Sequence, residues 1–160
     1  MKSVYALLLA LALAGCAHYP SATAVHSGES QSDVRAKLGA PAAERKLPGG
    51  EMAWYYVTAP SGYYTWRVVF GGDGRVKQYS QVLTEQDFLA IPGGASRDAV
   101  LDRLGPPMQE MSFARSDTET WTYRWIEGTQ QMLADATFGS RGLLNLSTYP
   151  DPAFSGASLH

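Results

Sequence analysis

The sequence predicts an α+β fold of two tandem repeats, each a short helix or helix pair packed on a three-stranded antiparallel meander, with the strands joined in one shared sheet. Three observations predict it. First, SDVRAKLGAP, beginning at Ser32, returns as DAVLDRLGPP, beginning at Asp98. Superposing Leu38 on Leu104 sets an offset of 66 residues, at which Gly28 meets Gly94, Ser30 meets Ser96, Val34 meets Val100, Lys37 meets Arg103, Gly39 meets Gly105 and Pro41 meets Pro107. Self-similarity at a fixed period marks a repeat architecture. Second, Val34 and Leu38, like Val100 and Leu104, stand four apart and share one helical face. Third, aromatic residues alternate with polar ones on either side of glycine-rich turns, as in antiparallel strands.

The chain opens MKSVYALLLALALAGC. A lysine, an apolar run from Val4 to Leu13, and the small residues Ala14 and Gly15 have the layout of a secretory signal peptide over residues 1–15. The run is too short to span a bilayer, which takes roughly 20 apolar residues. Leu13-Ala14-Gly15-Cys16 resembles a bacterial lipobox, and that resemblance implies cleavage before Cys16. A diacylglyceryl thioether would then sit on its sulfur and an acyl chain such as palmitate on the new amino group. Cys16 is the only cysteine, and lipidation accounts for a lone cysteine in an exported chain. Each buried methylene contributes about 0.8 kcal/mol, so several acyl chains make a lasting anchor. Ala17 and His18 follow the cysteine with no aspartate, resembling lipoproteins sorted to the outer membrane. Residues 16–24 then form a lipidated tether.

The first repeat occupies residues 25–83. Ser30 is placed to accept from the Asp33 amide, and the Asp33 carboxylate favours the positive end of the helix dipole. Gly39 is expected in a left-handed cap, and Pro41 stops continuation. Strands are expected over Trp54–Thr58, Tyr64–Phe70 and Val76–Leu83, with a hairpin turn at Gly71-Gly72-Asp73-Gly74. The second repeat occupies residues 84–150. Thr84 and Asp87 open a helix through Ala90, Ser96 caps the next one, and Gly105 and Pro107 end it. Strands follow over Trp121–Trp125, Gln131–Phe138 and Leu143–Tyr149. Trp54 meets Trp121 at an offset of 67 and Phe70 meets Phe138 at 68, which places two one-residue insertions in loops. Residues 151–160, rich in Pro, Gly and Ser, read as a flexible tail.

Thirteen Lys and Arg stand against fifteen Asp and Glu, a formal net charge of −2. That gives no electrostatic footprint for nucleic acid and no polybasic patch for anionic lipid. The histidines, His18, His26 and His160, lie near the ends with no carboxylate cluster at metal-ligand spacing. There is no H-E-x-x-H, no G-x-S-x-G and no P-loop. Neither metal, cofactor nor catalytic residue is expected, and the reading is non-enzymatic.

The glycine-x-Ser start, the valine, Leu-Gly-x-Pro, Trp-x-Tyr and the Phe-Gly hairpin resemble the small outer-membrane lipoproteins of the SmpA/OmlA (BamE-like) family. Gly28–Val76 carries one copy and Gly94–Leu144 a second. The tandem arrangement resembles the β-lactamase inhibitor protein architecture. What the resemblance implies is a lipid-anchored envelope protein facing the periplasm. It would act by protein–protein contact, with the outer-membrane assembly machinery as one partner class. The alternatives are a membrane-tethered inhibitor-like module and a small-ligand (lipid) binder in the cleft between repeats. Alternation puts Tyr55, Arg67, Thr122 and Arg124, with Tyr63, on the sheet face away from Trp54 and Trp121. That face is either an ordinary half-exposed surface or a partner-binding platform, because Tyr and Arg are enriched at hot spots. Trp125 joins the candidates as an aromatic near a turn, although strict alternation puts it on the core face. Replacing Cys16 with alanine is expected to abolish acyl-chain labelling and to release the protein from the membrane fraction; an unchanged fractionation would overturn the lipobox reading.

Overall fold

The computed structural model describes residues 20–21, 23–58 and 61–154; the leader, Cys16 and residues 155–160 lie outside the described residues. The elements run α1 (Gln31–Leu38), β1 (Ala43–Lys46), a 3-10 turn (Pro48–Gly50), β2 (Met52–Val57), β3 (Thr65–Phe70) and β4 (Val76–Gln81). The second repeat follows with α2 (Glu85–Leu89), α3 (Arg97–Leu104), β5 (Gln109–Phe113), β6 (Thr118–Glu127), β7 (Gln130–Gly139) and β8 (Gly142–Pro150). The fold is α+β, as expected, with two corrections. Each repeat has a four-stranded antiparallel sheet rather than three strands, in the orders β1-β2-β3-β4 and β5-β6-β7-β8. The two sheets are separate rather than one continuous sheet. The extra strands, AERK and QEMSF, are short; the first has no apolar alternation and the second only the pair Met111 and Phe113, too short a pattern to announce a strand.

The repeat extends from the letters to several of the hydrogen bonds. Ser30 caps α1 in a reciprocal box, accepting from the Asp33 amide while the Asp33 carboxylate accepts from the Ser30 amide at 3.0 Å. Ser96 caps α3 by accepting from Ala99, and has no acidic reciprocal at that position. The Gly28 amide donates to the Val76 carbonyl, and the Gly94 amide to Leu143, both at 2.8 Å. Both C-cap glycines have positive φ, 79° at Gly39 and 76° at Gly105, but extended ψ, −159° and −168°. They are therefore not left-handed helical caps but occupy a region reserved for glycine. The consequence is directional: the chain reverses and each glycine carbonyl turns toward the sheet. There the Tyr56 hydroxyl donates to the Gly39 carbonyl at 3.3 Å and the Tyr123 hydroxyl to the Gly105 carbonyl at 3.2 Å. Leu-Gly-x-Pro and Trp-x-Tyr are thus two halves of one latch.

Each helix covers the inner face of its own sheet. Val34 and Leu38 pack with Trp54, Tyr56, Val68 and Phe70, and Val100 and Leu104 pack with Trp121, Tyr123, Trp125 and Phe138. The Trp54–Phe70 rings lie 4.7 Å apart and the Trp121–Phe138 rings 4.6 Å apart, within the range that favours edge-on or tilted contact. Arg35 lies over Trp54 and Arg97 over Phe138, at 4.6 and 5.0 Å from the ring centroids. Both sheets carry a bulge at the same place, where Lys77 and Leu144 are the extra residues.

An added β-carbon at Gly39 meets nothing within 4 Å, whereas at Gly105 it would lie 2.6 Å from the Tyr55 ring. Gly39→Ala is expected to cost about 1 kcal/mol from backbone strain. Gly105→Ala adds overpacking and is expected to cost a further 1–3 kcal/mol or so. Chemical denaturation of the two variants measures the difference, and equal midpoints would contradict the asymmetry.

Candidate functional site

What the outer faces of the two sheets meet distinguishes the repeats. In β2 the alternation is lost, because Ala53, Trp54, Tyr55 and Tyr56 are all buried. A strand buried on both faces is covered on both. The cover on the outer side is α3 of the second repeat. The Tyr55 hydroxyl donates to the Asp102 carbonyl at 2.6 Å, and an Arg67 guanidinium nitrogen donates to the same carbonyl at 3.0 Å. Arg45, on β1, pairs with the Asp98 carboxylate at 2.8 Å and with the Asp102 carboxylate. Cationic groups at the last turn of a helix also favour its negative end. The molecule is therefore a stack in the order α1, first sheet, α3, second sheet.

The second sheet keeps strict alternation, with Trp121, Tyr123 and Trp125 buried and Thr120, Thr122 and Arg124 between them partly exposed. Its outer face has no layer over it among the described residues. Thr122 and Tyr149 each donate to the Asp135 carboxylate at 2.7 Å. Beside them, on β5, Met111 opposes Thr120 and Phe113 opposes Thr118 in register, so both share this face. They remain 46% and 44% exposed.

The residues singled out from the sequence thus fall in three places. Tyr55 and Arg67 are brought together, directly opposite each other, but at the junction between repeats, where Tyr55 has no exposed surface. Arg124 is on the open side of the second sheet, 3.3 Å from the buried Asp151 carboxylate and 6.0 Å from the Tyr63 ring centroid. Asp151, the first residue of the expected tail, is 2% exposed. Trp125 faces the core, 2% exposed and edge-on to Phe88 with ring centroids 5.2 Å apart, so it offers no surface to a partner. The caps Ser30, Gly39, Ser96 and Gly105 hold the helices as described. Met111 and Phe113 escaped the sequence reading. The available signal was the repeat itself, which puts Met111 at the position of Arg45 and Phe113 at that of Leu47.

A cleft of about 370 Å³ lies at the junction, lined by Leu47, Pro48, Glu51, Arg67, Ala99, Asp102 and Arg103. No group of three or more His, Cys, Asp or Glu among the described residues is placed to hold a metal ion. No helix among them is long and apolar enough to cross a membrane.

The chain matches no family model and no curated protein. Among solved structures, it is similar to a DUF4309 family protein (YjgB) from Bacillus subtilis subsp. subtilis str. 168. The identity is 14%, covering 84% of this chain and 87% of that one, with a TM-score of 0.30.

Burial raises the phenol pKa of Tyr55, Tyr56 and Tyr79 from 10.0 to about 12. Tyr149 is also held at about 12, by burial and then by its bond to Asp135. In the unfolded chain the same phenols ionise near 10. Between the two values the unfolded state releases protons that the folded state retains, so stability present below pH 10 is lost as pH rises toward 12. A cooperative alkaline transition is expected in that window, with tyrosinate absorbance and loss of β-sheet circular dichroism rising together. Tyrosinate formation running ahead of unfolding would show these phenols to be accessible.

Proposed function

We propose that this protein is a non-enzymatic bacterial envelope lipoprotein that scaffolds or assists assembly at the outer membrane through protein–protein contact. Cys16 anchors it there, facing the periplasm. The observation that carries the reading is the asymmetry of the two sheets. The first sheet is consumed by the internal junction, whereas the second leaves one face and the apolar pair Met111 and Phe113 exposed. The described chain begins beside β4 of the first repeat and the open sheet belongs to the second, an arrangement suited to holding a second protein near the membrane. The leader, the lipobox resemblance and the SmpA/OmlA-like motifs support the location. Among the described residues the titratable groups are scattered over the fold, and that scatter supports a binding role.

A photo-crosslinking side chain at Thr120 or Met111, in the full-length protein in its native host, is expected to trap one envelope protein. The same group at Glu44, on the first sheet's edge, is expected to trap none. Barrel-assembly subunits as the adduct support the assembly role. A periplasmic hydrolase would favour the inhibitor-like alternative, and lipid alone would favour the small-ligand one. Indiscriminate labelling from all three positions would overturn a defined contact surface.

A further inference from the structure

The four sheet edges are not equivalent. An edge strand presents unpaired amides and carbonyls, and proteins usually guard it with charge, a bulge, proline or a covering segment. β1 carries Glu44, Arg45 and Lys46 in succession. β4 is bulged at Lys77, and its Tyr79 hydroxyl is engaged by the Ser21 carbonyl at 2.9 Å. β8 is bulged at Leu144 and ends in Pro150. β5 keeps only Glu110 as a charge, in place of three in succession on β1, and it has no bulge, no proline and no covering segment among the described residues. All five of its residues, Gln109–Phe113, are exposed, and no strand lies beyond it among the described residues. The repeat makes the comparison internal: where β1 has Arg45 and Lys46, β5 has Met111 and Ser112, at the same offset of 66 that superposes the helices.

We propose that β5 is a docking edge for an extended segment of a partner protein, added to the second sheet as a fifth strand. The inference deepens the protein–protein reading above and rests on it. The chemistry of the segment follows from the register. On β5, Met111 and Phe113 point to the open face, and Glu110 points to the other side, opposite Trp121. Glu110 forms no ion pair among the described residues, whereas its equivalent in the first repeat, Glu44, is paired with Arg35. A strand paired here places alternate residues against Met111 and Phe113 on one side and against Glu110 on the other. The complementary segment therefore alternates apolar and basic residues, with backbone hydrogen bonds supplying affinity and the alternation supplying choice. A second copy pairing antiparallel about Met111 would put Ser112 against Glu110 and leave the carboxylate without a counter-charge, so the basic segment fits better.

The test uses the full-length protein in detergent micelles and a peptide of alternating valine and lysine about seven residues long, the length of an edge strand. It is expected to bind and to slow amide exchange along Gln109–Phe113. Met111→Arg with Ser112→Lys restores the guard charges of β1 and is expected to weaken binding about tenfold or more while leaving circular dichroism unchanged. Glu110→Lys is expected to switch preference to a valine–glutamate peptide, a reversal that misfolding cannot produce. Absence of binding up to about 1 mM peptide, a weak limit for any specific contact, would overturn the proposal. So would binding that N-methylation of the peptide backbone leaves unchanged, or protection confined to other strands. A concentration-dependent dimer abolished by the same paired substitution would replace the partner segment with a second copy. Peptide binding needs no envelope, so its loss does not bear on the crosslinking result, and a trapped partner with no peptide binding would move the contact to the sheet face.

Discussion

Gly105 is where the fold closes. Its positive φ and extended ψ end α3 and turn its carbonyl to the Tyr123 hydroxyl, fixing the helix on its own sheet. Its missing β-carbon lets the Tyr55 ring of the first repeat lie against it, and that approach brings the Tyr55 hydroxyl to the Asp102 carbonyl. One residue therefore carries both the contact that makes a repeat and the contact that makes two repeats one body. The carbonyls at a helix end lack intrahelical partners. Here Asp102 meets that need with two donors from the first repeat, Tyr55 and Arg67, so the junction uses a deficit that every helix has.

The junction also explains why the two sheets differ in composition while sharing geometry. A face that must cover a helix end carries donors and bulk, as with Arg45, Tyr55 and Arg67. The matching positions in the second repeat are Met111, Thr122 and Asp135. Asp135 already accepts from Thr122 and Tyr149, so its charge is held within the sheet. α1, for its part, offers Ser32 and Ala36 where α3 offers Asp98 and Asp102. Neither side of the internal contact is thus reproduced at the ends of the stack. The same comparison argues against copies adding head to tail, the open-ended arrangement that a repeated heterologous contact would otherwise permit.

Much of this was legible in the letters. The offset between SDVRAKLGAP and DAVLDRLGPP located both helices, their serine caps and their terminal glycines, because caps and turns are local chemistry. Alternation placed Trp54 and Trp121 inward and Tyr55, Arg67 and Arg124 on the opposite side, because strand sidedness is also local. What Tyr55 would meet was not legible. Its cover comes from residues 102 and 105 of the chain, and nothing in a strand's own pattern reports a layer added from elsewhere. β1 and β5 were missed for a related reason: β1 is wholly charged or small, and the apolar face of β5 is only the two residues Met111 and Phe113. Trp125 shows the opposite case, in which the period placed the residue correctly in the core and suspicion of a nearby turn misdirected the functional reading.

The comparison between repeats carries more weight than either repeat alone, because it controls for fold. Two units with the same caps, latch, bulge and ring pair differ chiefly where they face outward, so those differences are not requirements of the architecture. Met111 and Ser112 in place of Arg45 and Lys46 leave β5 with one charge where β1 has three, while the strand keeps its register against the neighbouring strand. An exposed edge without such guards is ordinarily an aggregation hazard. Retaining one beside an open sheet face is physically coherent when a second polypeptide occupies it. In a single-sheet protein the same residues would read only as a poorly protected strand; the guarded copy on the same chain gives their absence a meaning.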